Sequence, residues 1–194
     1  VEEVAMGIFF NAGQICDAGS RLYVEDGIYD EFMGKLVEHT KTWVLGPGLE
    51  ADSTIGPLVS ENQLNSVMGM IQAGIDEGAT LLVGGKRVDR TGYFVEPTIF
   101  GDCNNQMTIV QEEIFGPVLV AQRFTTDEQA VELANDNQYG LAATIYSQNL
   151  NRVHRLSKVL KAGSVYVNAQ SSIDPAMPFG GFKNSGFGRD LGPE

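Results

Sequence analysis

A chain of 194 residues, 43% of them hydrophobic, is long enough to bury a substantial core in one domain or two small ones. Its 25 acidic against 13 basic residues give a net charge of −12, which argues against nucleic acid or an anionic membrane surface as partner, because neutralising phosphates needs clustered Lys and Arg. No apolar run approaches the ~18 residues of a membrane span, Glu2 and Glu3 stand where a secretory signal would be basic, and a first residue of Val rather than Met fits a processed or excised piece.

Val1, Val4, Ala5, Ile8, Phe9 and Ala12 recur at spacings of three and four, which predicts a helix over 1–15 ending near Gly13. "SRLYVE" (20–25) reads as a strand. Tyr29, Phe32, Met33, Leu36, Val37 and Val44 mark a second helix, stopped by "LGPG" (45–48). Ser60 and Gln63 form S-x-x-Q, a variant capping box, and open a third helix. Its buried stripe is Leu64, Val67, Met68, Ile71 and Ile75, and Gly78 ends it. "TLLVGG" (80–85) is a strand, and "YFVEPTIF" (93–100) is extended, with Pro97 placing it at an edge or a bulge.

From there strands and helices alternate. "GPVLVAQRF" (116–124) is a strand, Thr126 and Gln129 cap a helix, "LAATIYS" (141–147) is a strand, Asn149 caps a helix reaching about Lys161, and "GSVYVN" (163–168) is a strand. Apolar strands alternating with helices imply an α/β fold of three layers, α/β/α, with a mostly parallel twisted sheet covered on both faces. The tail, 174–194, has no periodicity and carries five glycines after Phe179 and three prolines.

The two cysteines, Cys16 and Cys103, lie 87 positions apart. A chain with so large a core does not need the single disulfide they allow, and a reducing cytoplasm is the simpler setting. Cys16 admits four readings: core filler, metal ligand, half of a disulfide, or nucleophile. No Cys-x-x-Cys or His-x-x-x-His spacing supports zinc, so no metal is expected. A free thiol with a pKa of about 8.5 needs a base, a cation or a helix end to become nucleophilic. The two histidines, His39 and His154, sit in predicted helices as solvated surface residues, so a Cys–His pair has little support. Gly13, Gln14, Ala18 and Gly19 nevertheless stand against a core filler, because small neighbours leave space at the thiol that core filling would not require. In "VQEEIFGPVLV" (110–120), Glu112 and Glu113 are either a surface acid pair or, with Phe115, groups that meet a hydroxyl-rich ligand bearing an apolar ring. The glycines of "MPFGGFKNSGFGRD" (177–190) lack the strand and helix that a G-x-G-x-x-G phosphate loop requires.

Together these segments resemble the NAD(P)-dependent aldehyde dehydrogenase family. "FFNAGQICDAGSR" is similar to that family's catalytic-cysteine motif, and "YFVEPTIF", "EEIFGPV", "YGLAA" (139–143) and "PFGGFKNSGFGR" (178–189) follow in the family's order. The resemblance implies that the whole chain, 1–194, is the thiol-bearing catalytic domain. It implies Cys16 as the nucleophile that forms a thiohemiacetal and then a thioester, with its own N–H in the oxyanion hole. It implies Glu113 at the nicotinamide ribose and Phe115 beside the nicotinamide of NAD or NADP. Ile15, Asp17, Ser171, Ser172, Ile173 and Phe179 are implied to line the path of a small-molecule aldehyde. Asp17 is unusual beside a nucleophile, since a carboxylate facing the sulfur would raise the thiol pKa; it is expected to point away. The segment 169–177, "AQSSIDPAM", has no aromatic residue to cage a trimethylammonium group, so a small or polar aldehyde is expected rather than betaine aldehyde. The family's N-terminal cofactor-binding domain, its upstream glutamate base and asparagine, and its C-terminal oligomerisation strand have no counterpart in the sequence. The parent is therefore expected to be a longer, cytoplasmic homodimer or homotetramer, and the chain alone inactive. The alternative is a non-catalytic binding or assembly module derived from the same fold; a cysteine hydrolase would need a histidine partner.

Overall fold

The computed structural model describes residues 1–193, which fall into two compact units divided after Phe124. In the first, helix α1 (Glu2–Phe9) buries Val4, Ala5, Ile8 and Phe9. The helix expected over 1–15 thus stops at Phe9, and a four-residue 3-10 turn follows, in which Asn11, Ala12 and Gly13 take φ of 51°, 55° and 69°. The apolar spacing ran on through Ala12 because that residue is buried without being helical.

Strand β1 (Arg21–Glu25) leads directly into α2 (Asp26–Thr40), which buries Tyr29, Met33 and Leu36. The helix ends four residues before Val44, whose carbonyl instead accepts from the Thr54 and Ile55 N–H groups while its own N–H donates to Thr54 Oγ1. Helix α3 (Glu61–Asp76) starts at the expected cap, where Ser60 Oγ accepts from the Gln63 N–H at 3.2 Å. There follow β2 (Thr80–Val83), β3 (Thr98–Gly101), the single turn α4 (Thr108–Gln111) and β4 (Val118–Phe124).

These strands form one mixed sheet in the order β1-β4-β3-β2, with β1/β4 and β3/β4 parallel and β2/β3 antiparallel. All of β3 and residues 118–122 of β4 are buried, which requires cover on both faces. The expectation for 93–100 is corrected here: β3 is flanked by strands on both sides, and Pro97 escapes conflict by lying one residue before it. The irregular register sits opposite, between Leu81 and Val83.

The second unit begins at Thr125. It contains α5 (Asp127–Asn135), β5 (Tyr139–Gly140), β6 (Ala142–Ile145), α6 (Leu150–Ser157), β7 (Ser164–Val167) and β8 (Phe182–Lys183). Thr126 Oγ1 and Asn149 Oδ1 cap the two helices as expected, and α6 ends at Ser157 rather than near Lys161. Asp127 ties the helices together through Arg152, at 2.5 Å, and Arg155. β6 and β7 pair in parallel, as strand–helix–strand order predicts, but as a two-stranded sheet separate from β4. The tail is less irregular than its composition implied: β8 pairs with β5, and Phe179 exchanges backbone hydrogen bonds with Asp190 at 2.7 and 2.8 Å. No described helix is long and apolar enough to cross a membrane.

Candidate active site

Cys16 lies in a turn closed by the Ala18 N–H donating to the Ile15 carbonyl at 3.1 Å, with Cys16 and Asp17 as its central residues. The turn is anchored at both ends. Downstream, the Gly19 N–H donates to Gly7 O of α1 at 2.9 Å, and Ser20 O accepts from Val120 N of β4 at 2.9 Å. Upstream, the three left-handed residues Asn11 to Gly13 reverse the chain. Asn tolerates that conformation and Gly suits it, whereas Ala12 is held there by burial.

Gln14 locks this reversal to the segment before α3. Its side-chain Oε1 accepts from the Val59 N–H at 2.9 Å, and its Nε2 donates to Asn11 O at 3.2 Å and Pro57 O at 3.4 Å. Cys16 is left exposed and free, while Asp17 is buried, so the carboxylate does not share the thiol's open surface. Among the described residues no acceptor is hydrogen-bonded to the Cys16 N–H, which is available to a developing negative charge.

The acidic loop meets the thiol turn through backbone. A Cβ built on Gly13 would stand 2.0 Å from Gly116 O and 3.0 Å from Pro117 N. Only glycine permits so close an approach, and its φ of +69° adds a second reason for glycine. Immediately upstream of that contact, Glu112 and Glu113 are both exposed but differ in engagement. Glu112 has a partner within the protein, whereas Glu113 makes no hydrogen bond or ion pair among the described residues. Ile114 is buried and pins the loop, and Phe115 stands exposed with φ of +52°. Gln63 Nε2 donates to the Ile114 and Phe115 carbonyls at 3.1 and 2.9 Å. This corrects the capping-box reading, in which the Gln63 side chain would return to Ser60.

The other sulfur is chemically unlike Cys16. Cys103 is buried against the sheet, 3.6 Å from Gly101 O, and burial pushes its thiol pKa up to about 12. Among the histidines, His39 sits in the last turn of α2 and His154 is exposed on α6 of the second unit. In that second unit, Ser171, Ser172 and Ile173 are exposed, Ser171 in a left-handed conformation with its carbonyl accepting from the Ile173 N–H, and Phe179 is half-buried. Among the described residues no group of three or more His, Cys, Asp or Glu side chains is gathered where a metal ion could sit. Gln63 is the site residue that sequence reasoning missed, and Gln14, evident beside the thiol, has partners that the sequence does not show, because the two side chains act over 52 and 45 positions.

The arrangement is an accessible thiol with a free backbone donor, set beside a loop offering an unengaged carboxylate and an exposed aromatic ring. The family model described as "Aldehyde dehydrogenase family" matches residues 1–194. An aldehyde dehydrogenase of Davidiella tassiana is 50% identical over 191 residues, covering 98% of this chain and 38% of that protein. The betaine aldehyde dehydrogenase of Bacillus subtilis is 45% identical over 196 residues, covering 99% of this chain and 40% of that protein. Among solved structures, the NAD+ complex of an aldehyde dehydrogenase from Bacillus cereus superposes with a TM-score of 0.96 at 44% identity, covering 98% of this chain and 39% of that one. The chain thus spans about two fifths of the length of the relatives it matches.

Proposed function

This chain belongs to the aldehyde dehydrogenase family, and from that premise we propose that it carries the nucleophile and part of the cofactor site for NAD-dependent oxidation of an aldehyde to a carboxylic acid. The observation that carries the proposal is the backbone contact between Gly13 and Gly116, which sets the exposed Cys16 turn against the loop bearing Glu113 and Phe115. The residues fit a nicotinamide dinucleotide. Glu113 is an unengaged acceptor for a pair of ribose hydroxyls, and Phe115 is an exposed apolar face for a ring. The bound cofactor supplies the hydride acceptor.

The chain's own residues then do the following. The Cys16 thiolate adds to the aldehyde carbon, and the Cys16 N–H donates to the oxygen as negative charge develops there, a stabilisation that strengthens as water is excluded. After hydride leaves the carbon, the acyl group remains on Cys16 as a thioester. Water cleaves it, releasing the acid and restoring the thiol. Activating the thiol and that water requires a general base, a contribution of typically 10²–10⁴-fold. Neither histidine stands in the Cys16 turn, and the carboxylate next to the thiol is buried. The 194 residues alone are accordingly expected to produce no NADH. Ser171, Ser172 and Ile173 are small or half-polar and 169–177 holds no aromatic residue, which favours a short neutral aldehyde over a trimethylammonium one.

The test is NADH formation by the enzyme that carries this chain. Cys16→Ala should abolish it with a short aldehyde while Cys103→Ala retains it. Betaine aldehyde should have the lower kcat/KM. Undiminished turnover by Cys16→Ala would overturn the proposal and leave the non-catalytic reading in its place.

A further inference from the structure

The loop that carries Glu113 and Phe115 is held in a conformation it would not adopt unaided. Phe115 has φ of +52°, and an aromatic residue is strained there, so its surroundings must over-determine it. Those surroundings come from α3. Gln63, in the first turn, directs its Nε2 at two successive carbonyls, Ile114 O at 3.1 Å and Phe115 O at 2.9 Å. Only the NH2 end of the amide can satisfy two acceptors. One turn further along the same helix face, Val67 packs against Gly116 so closely that a Cβ added there would lie 2.6 Å from it. At the far end of α3, Glu77 accepts from both the N–H and the hydroxyl of Thr108, at 2.7 and 2.5 Å. The helix therefore holds the segment 108–116 at both ends. The residues just before it, Pro57 and Val59, hold Gln14 of the thiol turn.

We propose that Gln63 is a positioning residue for the dinucleotide site: by fixing the left-handed Phe115 it sets the height at which Glu113 and Phe115 stand relative to Cys16. This rests on the proposed dehydrogenase function, and two measurements separate the failure of one from the failure of the other. The first needs no activity. In Gln63→Glu, which keeps the size and removes both donors, and in Gln63→Ala, backbone amide exchange across 113–118 should accelerate roughly tenfold, the equivalent of one net hydrogen bond, while exchange in α6 is unchanged. The second is kinetic, in the enzyme that carries this chain. Both variants should raise KM for NAD+ roughly tenfold with little change in KM for the aldehyde, and this rise should largely vanish in a Glu113→Gln background, because Gln63 acts through the loop. Unchanged exchange at 113–118 overturns the positioning role. So does a KM effect that is the same with and without Glu113. Accelerated exchange in a parent enzyme that shows no NAD+-dependent oxidation overturns the dinucleotide assignment instead.

Discussion

Replacing Gly13 by Ala tests the contact on which the site depends. The added Cβ would lie 2.0 Å from Gly116 O, where real Cβ atoms keep at least 3.0 Å, so the thiol turn and the acidic loop must separate by about 1 Å. The obstacle is backbone, not the end of a flexible side chain, and it cannot swing away. Forcing extra atoms into a packed contact costs typically 1–3 kcal/mol, and holding Ala at φ of +69° adds roughly 1–2 kcal/mol. The sum, about 2–5 kcal/mol, is a large part of a domain's usual stability. Urea unfolding of the purified chain should show it directly. In the enzyme that carries the chain, a misplacement of about 1 Å should lower the rate of NADH formation about 10²-fold. Gly69→Ala is the control. Gly69 lies exposed inside α3 with nothing within 4 Å of its Cβ position, and Ala there should stabilise by roughly 0.5–1 kcal/mol. A Gly13→Ala chain as stable as the parent, in an enzyme of undiminished rate, would refute the reasoning that this backbone approach assembles the site.

The two cysteines should separate cleanly on brief alkylation of the native chain, with Cys16 labelled and Cys103 protected; labelling of Cys103 at a comparable rate would contradict its burial. Cys103 also gives a pH prediction. Its thiol pKa is raised in the folded protein to about 12, so the neutral form is favoured by folding; that stability is complete below the unfolded value of about 8.5 and is lost as pH rises toward 12, at up to about 1.4 kcal/mol per pH unit. Urea unfolding at pH 7 and pH 10 should therefore show a steeper alkaline loss for the parent than for Cys103→Ala, and parallel losses would contradict it. Glu113→Gln should raise KM for NAD+ and slow hydride transfer, whereas Glu112→Gln, at a residue that already has a partner within the protein, should do much less; equal effects would refute the assignment.

What the sequence made legible was local. Ser60, Thr126 and Asn149 each cap a helix by accepting from the N–H three positions on, an interaction confined to one turn and therefore written in one turn of sequence. The motif around Cys16 likewise located the exposed thiol. What stayed hidden depended on partners far along the chain. Gln63 looked like half of a capping box, yet its side chain serves carbonyls 51 and 52 positions away. Ala12 continued an apolar helix pattern because burial, not helical conformation, produced the spacing. Pro97 signals an edge or a bulge because the residue type is excluded from a central ladder position, but a strand that starts one residue later avoids the conflict. Gly13 was recognised as a source of space at the thiol; that it admits the backbone of Gly116, 103 positions on, is visible only in three dimensions.

The most direct measurement is the mass of the peptide containing Cys16 after the enzyme that carries this chain is mixed with a short aldehyde and NAD+ and quenched in acid within one turnover. The account predicts an acyl adduct on Cys16, formed only when NAD+ is present, lost in Cys16→Ala, and absent from Cys103. NADH released at full rate with no adduct at Cys16 at any quench time, or an adduct on Cys103, would contradict it.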